Sequence, residues 1–292
     1  MDKLELKALG KINLGLDVLG IRDDGYHEVR MIMQSIYLYD DVFMEKIHSD
    51  DIEISSNLFF LPNNEKNLAY KAAKIIKDRY NIDDGVRINL KKRIPVSAGM
   101  AGGSTDAASV LYGMNLMFKL GLSYEKLCEI GVELGADVPY CILRGTMEAT
   151  GIGEILRPLT PIPNCFVLIV KPEFAVSTRK VYADLDALND IVHPDIDGLI
   201  EGLENNDLEQ ITGSMGNVLE QVVIPKYPVI DRIKNVMKSS GALGALMSGS
   251  GPTVYGIYNS KDKAIKTSKI IKKLRLSRTI FVTNIHYPKK HN

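Results

Sequence analysis

A chain of 292 residues exceeds the length at which one hydrophobic core usually stops growing, so one large domain or two modest ones are expected, and two are favoured. Hydrophobic residues at 45% and charged residues at 25% exclude a disordered, collagenous or low-complexity chain. The 36 basic and 36 acidic residues cancel, which excludes a global field for holding nucleic acid or an anionic membrane surface; any anionic ligand must be gripped by local chemistry.

The opening stretch Met1-Asp2-Lys3-Leu4-Glu5-Leu6-Lys7 alternates charge with apolar residues and has no apolar h-region, so it reads as a strand and not as a signal peptide. Alternation continues to about residue 55, as in Ile12-Asn13-Leu14-Gly15-Leu16-Asp17-Val18, with a turn at Arg22-Asp23-Asp24-Gly25, and predicts a sheet of several strands. After Asn67, the residues Leu68, Ala69, Ala72, Ala73, Ile76 and Tyr80 recur at steps of three and four, the stripe of a half-buried helix. A strand over residues 86–90 follows.

Next comes the glycine-rich run Pro95-Val96-Ser97-Ala98-Gly99-Met100-Ala101-Gly102-Gly103-Ser104-Thr105, which passes into a helical pattern reaching about Leu120. A second helix over residues 123–134 leads into Gly135-Ala136-Asp137-Val138-Pro139, with a hairpin expected around Arg144-Gly145. The run Pro158-Leu159-Thr160-Pro161-Ile162-Pro163 marks a domain boundary and divides the chain into 1–157 and 158–292. Beyond it, an apolar strand to Val170 begins a new series of strands and helices, and Ser248-Gly249-Ser250-Gly251-Pro252-Thr253 lies between two short strands. The fold class is α+β.

Cys128, Cys141 and Cys165 show no C-x-x-C spacing and the five histidines no zinc pattern, so the thiols read as buried in a reducing cytoplasm. No apolar run approaches the roughly 18 residues needed to cross a bilayer.

The run from Pro95 to Thr105 admits two readings. Glycines let backbone N–H groups approach a phosphate, and the following helix offers its positive end; the same glycines also serve a tight structural turn. Neither G-x-x-x-x-G-K-[ST] nor a G-x-G-x-x-G opening a helix is present, so P-loop and Rossmann binding are excluded.

The pattern Pro95-x-x-x-Gly99-x-x-Gly102-Gly103-Ser104-Thr105 resembles the central ATP loop of the GHMP kinases, named for galactokinase, homoserine, mevalonate and phosphomevalonate kinases. Gly10-Lys11-Ile12-Asn13-Leu14 is similar to that family's first motif and Ser248-Gly249-Ser250-Gly251-Pro252-Thr253 to its third, all in family order. Asp24-Gly25-Tyr26-His27, Leu134-Gly135-Ala136-Asp137-Val138-Pro139, Glu65-Lys66-Asn67-Leu68, Lys171-Pro172, Val176-Ser177-Thr178 and Gly216-Asn217-Val218-Leu219-Glu220 narrow the likeness. They match the members that act on the cytidyl diphosphate ester of methylerythritol, in the non-mevalonate route to isopentenyl diphosphate.

The resemblance implies a ribosomal-S5-like N-terminal domain, a ferredoxin-like C-terminal domain, and transfer of the ATP γ-phosphate to the 2-hydroxyl of that ester with Mg²⁺ accompanying ATP. It implies catalytic roles for Lys11 and Asp137, which as isolated residues would read as a solvated lysine and a helix-end cap. The loop from Pro95 to Thr105 would hold ATP, with Asn67 and Leu68 at the adenine. Asn13, Tyr26, His27, Thr178, Tyr182, Gly249, Ser250 and Gly251 would bind the acceptor, and no protein residue is assigned to the metal. Both tyrosines could stack on cytosine or belong to the core. Ser104 and Thr105 could reach phosphate or cap the helix, and Lys91 or Lys92 could neutralise phosphate charge. A cytoplasmic monomer or weak homodimer is expected, without nucleic-acid or membrane partners.

Gly10, Thr105 and Ile152 depart from the alanine, serine and arginine usual in the family, and Met147-Glu148 from a small apolar pair. Rival readings are another acceptor within the family, a catalytically silent nucleotide-binding regulator, and an RNA-binding module.

Overall fold

The computed structural model describes residues 2–288, so Met1 of the expected N-terminal strand lies outside the described residues. The chain falls into two compact units. The first comprises Met1–Gly10, Leu38–Val96 and Ala101–Leu143, the second Lys11–Tyr37, Ser97–Met100 and Arg144–Asn292. Two long strands, β1 (Lys3–Ile21) and β2 (His27–Ile47), contribute residues to each.

In the first unit, β3 (Ile52–Ser56) pairs in parallel with β4 (Gly85–Lys91), and β4 pairs antiparallel with the end of β2, from Asp41↔Lys91 to Ile47↔Gly85. Helix α1 (Leu68–Tyr80) starts where the Asn67 side chain accepts the Ala69 N–H at 3.0 Å, and stops at left-handed Asn81. Its buried stripe includes Ala69, Ala72, Ala73 and Ile76, as the sequence period predicted. It packs on α2 (Gly102–Met117), which also meets α4 (Asp137–Leu143); α3 (Tyr124–Val132), capped by Ser123, packs on α4.

The expected hairpin at Arg144-Gly145 is not there. Asp137 opens a short helix instead, with Pro139 in its first turn, where no amide donor is needed; left-handed Arg144 and Gly145 then end the helix. The hairpin lies further on, between β5 (Thr146–Thr150) and β6 (Ile155–Pro158), turned by Gly151 and Gly153 at positive φ.

In the second unit, β5 pairs with the start of β2. Strand β7 (Phe166–Lys171) is followed by α5 (Thr178–Asp186), α6 (Ile196–Glu204), α7 (Leu208–Ser214), β8 (Gly216–Asn217), α8 (Glu220–Val223) and α9 (Val229–Ser239). Then come β9 (Gly244–Met247), β10 (Val254–Tyr258), α10 (Lys261–Lys273) and β11 (Thr279–Asn284). The antiparallel sheet runs β11-β7-β10-β9, the ferredoxin-like arrangement, with α9 and α10 against it. The interior residues Val167, Leu168, Ile169 and Val170 of β7 are all buried, so a central strand reads as an apolar run rather than an alternation. Strand β8 adds in parallel to β1 at Gly15↔Gly216.

The alternation read in β1 does not mean one wet face. Asn13 and Asp17 are both buried with their side chains partnered: Asn13 Oδ1 accepts from the Lys11 ammonium at 2.7 Å, and Asp17 accepts the Val18 N–H and meets His193 Nδ1, each at 2.8 Å. Among the described residues no helix is long and apolar enough to cross a membrane. Cys141 and Cys165 are buried and Cys128 partly so; burial pushes the thiol of Cys128 up to about 11 and that of Cys165 up to about 12.

Candidate active site

Within the second unit, Lys11 is only 5% exposed and its ammonium donates to Asn13 Oδ1 at 2.7 Å; among the described residues it forms no ion pair with a carboxylate. A buried cation facing a neutral amide is under-compensated, and an anionic ligand is the natural complement. The backbone around it is fixed, since Lys11 N–H donates to Met100 O at 3.2 Å.

Met100 belongs to the glycine-rich loop, in which Ser97 (φ +51°), Gly99 (φ +68°) and Ala101 (φ +56°) are left-handed. Two non-glycine residues held in that region within five positions mark stored strain of the kind found at ligand clamps, and such turns aim successive N–H groups into a concavity. Gly99 touches the Ser248 loop. A Cβ there would sit 2.1 Å from Ser248 O, while Ser248 Oγ donates to Gly99 O at 2.9 Å. Gly249, also at positive φ, lies against Gly99 in turn.

The Ser248 loop is held from beneath. Buried Asn217 donates through Nδ2 to both Met247 O and Gly249 O at 2.8 Å and accepts the Leu219 N–H at 3.0 Å. Glu220 accepts the Met247 N–H at 2.8 Å and pairs with Lys234. Asn217→Ala leaves two carbonyls and an amide without partners. A destabilisation of about 1–3 kcal/mol is expected, read as a lower urea midpoint.

A cavity of about 680 Å³ in the same unit is lined by Gly25, Tyr26, His27, Val29, Ile152, Thr178, Arg179, Tyr182, Ala183 and Asp186. Thr178, Tyr182 and Asp186 recur every four residues on one face of α5. The His27 ring lies 4.6 Å from that of Tyr182, tilted by 46°, and its Nε2 is 2.8 Å from Asp186 Oδ1. Thr178 Oγ1 is 2.7 Å from Ser250 Oγ and so ties this wall to the Ser248 loop. Opposite contacts fix the Asp24-Gly25-Tyr26-His27 turn: Arg22 pairs with Asp24 and Glu28, and Glu28 Oε1 accepts the Gly151 N–H at 3.0 Å. Glu148, unusual in sequence, is buried between Arg30 and Arg157; burial would raise its carboxyl, but the two guanidinium groups hold it below the usual range. Tyr26 is exposed and Tyr182 half-buried on the cavity wall, so neither is a core tyrosine.

Asn67, Leu68, Gly102, Gly103, Ser104, Thr105 and Asp137 belong to the first unit. Helix α2 begins after left-handed Ala101 with no side-chain cap, which removes the capping role considered for Ser104 and Thr105. The amides of Gly102, Gly103 and Ser104 therefore have neither helical nor side-chain acceptors from capping. Thr105 is fully buried with its hydroxyl unpartnered, and half-buried Asp137 is the first residue of α4. Lys92 does not face solvent or phosphate: it is buried between the carboxylates of Asp40 and Asp106.

Family models described as "GHMP kinases N terminal domain" and "GHMP kinases C terminal" match residues 67–145 and 199–274. The chain belongs to the GHMP kinase family. Among these kinases it is 49% identical over 288 residues to a 4-diphosphocytidyl-2-C-methyl-D-erythritol kinase of Lachnospira eligens, covering 99% of this chain and all of that one. It is 54% identical over 264 residues to the kinase of the same name from Lachnoclostridium phytofermentans, covering 90% and 91%. A crystal structure of 4-(cytidine 5'-diphospho)-2C-methyl-D-erythritol kinase superposes with a TM-score of 0.84 at 30% identity, over 98% of this chain and 100% of the other. A homoserine kinase from Cytophaga hutchinsonii, at TM-score 0.79 and 21% identity over 98% and 95% of the two chains, shares the GHMP kinase fold. The two-domain α+β expectation is thereby met, and this GHMP kinase is a small-molecule kinase.

Proposed function

We propose that this kinase transfers the γ-phosphoryl group of ATP to the 2-hydroxyl of 4-diphosphocytidyl-2-C-methyl-D-erythritol, giving the 2-phosphate and ADP on the non-mevalonate route to isopentenyl diphosphate. The observation that carries the acceptor is the cavity walled by Tyr26, His27 and Tyr182: a ring pair beside an exposed aromatic suits a flat pyrimidine, which mevalonate and homoserine lack.

Phosphoryl transfer requires little covalent help; alignment and charge neutralisation dominate. In this reading Asp137 accepts the proton of the 2-hydroxyl as the oxygen attacks phosphorus, and the Lys11 ammonium, oriented by Asn13, stabilises charge on the transferring group. The left-handed turns at Ser97 and Gly99 suit phosphate oxygens, and so do the uncapped amides at the start of α2. Among the described residues no group of three or more His, Cys, Asp or Glu side chains could cage a metal ion. Mg²⁺ would accompany ATP and neutralise charge on its phosphates, and the roles of Lys11 and Asp137 do not depend on it. A cytoplasmic location, a monomeric or weakly dimeric state, and the division at 157/158 complete the proposal.

An ADP-release assay with Mg-ATP and the cytidyl ester, mevalonate, homoserine or galactose tests it; turnover on any of the last three but not on the first overturns the acceptor. In the same assay Tyr182→Ala is expected to raise the KM for the cytidyl ester about tenfold, the worth of a lost stacking contact, with little change for ATP. Equal rises for both substrates would assign Tyr182 to folding instead.

A further inference from the structure

The ATP loop, residues 95–105, is gripped at both ends by one buried ion cluster in the first unit. At its entry, Asp40 Oδ1 accepts the N–H groups of Arg93 and Ile94, the latter at 2.8 Å. At its exit, Lys92 Nζ donates to Gly102 O at 3.1 Å and to the Asp106 carboxylate in the first turn and a half of α2. The two ends meet in the same ammonium, because Lys92 Nζ also reaches the other oxygen of Asp40. Asn57 fixes the stem by accepting the Lys92 N–H at 2.7 Å and donating to Lys92 O at 3.2 Å.

Lys92, Asp40 and Asp106 are 8%, 0% and 3% exposed. An ammonium has three donors, and all three are used on Asp40, Asp106 and Gly102, which leaves none for a phosphate. Stability alone does not account for such a cluster, since a buried ion pair seldom outperforms apolar packing of the same volume. One cation against two carboxylates is also poorly balanced: burial raises the Asp106 carboxyl to about 7 even with Lys92 opposing it. What three directed hydrogen bonds supply, and apolar packing does not, is a fixed distance between residues 92–94 and the start of α2.

We propose that Lys92, with Asp40 and Asp106, is a positioning residue for ATP that sets the span of the phosphate loop and the direction of the free α2 amides, without touching the nucleotide. The inference rests on the reading that this loop holds the ATP phosphates. The full-length wild type, Lys92→Met, Asp106→Ala and Asp106→Asn are compared by steady-state kinetics with Mg-ATP and the cytidyl ester, alongside thermal melts. Lys92→Met and Asp106→Ala are expected to raise the KM for ATP roughly 10- to 100-fold while the KM for the cytidyl ester moves less than about twofold, since a displaced loop misaligns phosphates and not the pyrimidine. Asp106→Asn, which keeps an acceptor for Lys92, is expected to rescue the ATP KM to within about threefold. An unchanged ATP KM in a folded Lys92→Met overturns the inference, as do equal rises in both KM values. If Lys92→Met does not fold, the contrast between Asp106→Ala and Asp106→Asn decides, and its absence overturns the inference. A wild type inert toward Mg-ATP and the cytidyl ester refutes the underlying reading instead; an active wild type with insensitive variants refutes this inference alone.

Discussion

Asp137→Asn is expected to lower kcat by roughly 10²- to 10⁴-fold, the range for losing a positioned acid–base group, with both KM values nearly unchanged. The substitution preserves size and leaves Asp137's position at the start of α4 open to a side chain that favours helix N-termini, so the fold is expected to persist. The deficit therefore isolates proton acceptance. Single-turnover measurement of ADP formation checks it, because slow product release cannot mask the chemical step there. Near-normal turnover would remove Asp137 as base and leave alignment and Lys11 as the sources of catalysis.

Gly99→Ala is expected to cut kcat/KM for ATP about a hundredfold or more. The residue is left-handed, which alone costs a Cβ-bearing side chain about 1–2 kcal/mol, and the new methyl carbon would lie 2.1 Å from Ser248 O and 3.0 Å from Ser248 C. Backbone cannot rotate away as a flexible side chain can, so either the 97–100 turn or the Ser248 loop must shift by about an ångström, and misplacement on that scale costs about a hundredfold. Gly121→Ala provides the control. Its φ is +66° and nothing lies within 4 Å of its Cβ, so it carries the conformational cost without the collision. Comparable losses of ATP kcat/KM in both variants would show that backbone preference, and not contact with Ser248, explains the effect.

Much of the fold was legible from near neighbours in sequence. The stripe through Ala69, Ala72, Ala73 and Ile76 gave α1, and the apolar run ending at Val170 gave a strand. The glycine loops were visible because positive φ and close backbone approach favour one residue type. Legibility failed at Arg144-Gly145, where Asp137, Val138 and Pro139 suggested an end of structure; a proline is as compatible with a first helical turn as with a break, and only packing against α2 and α3 settles which. It failed again at Lys92, which looks like any surface lysine until Asp40 arrives from 52 residues away and supplies a counter-ion.

The amino-acid sequence by itself determined the strand and helix periods and the order of the three GHMP kinase motifs, near which lie Lys11, Asp137, Tyr26, His27 and Tyr182, the proposed site residues. Tertiary structure decided what those side chains face. His27 gains Asp186 from 159 residues away, Asn217 becomes the prop beneath the Ser248 loop, and Thr105 is withdrawn from solvent. The physical reason is range. Helix caps, turns and hydrophobic periods are set within a few residues of chain, whereas the partner of a buried polar group is chosen by which distant segment packing brings within hydrogen-bond distance.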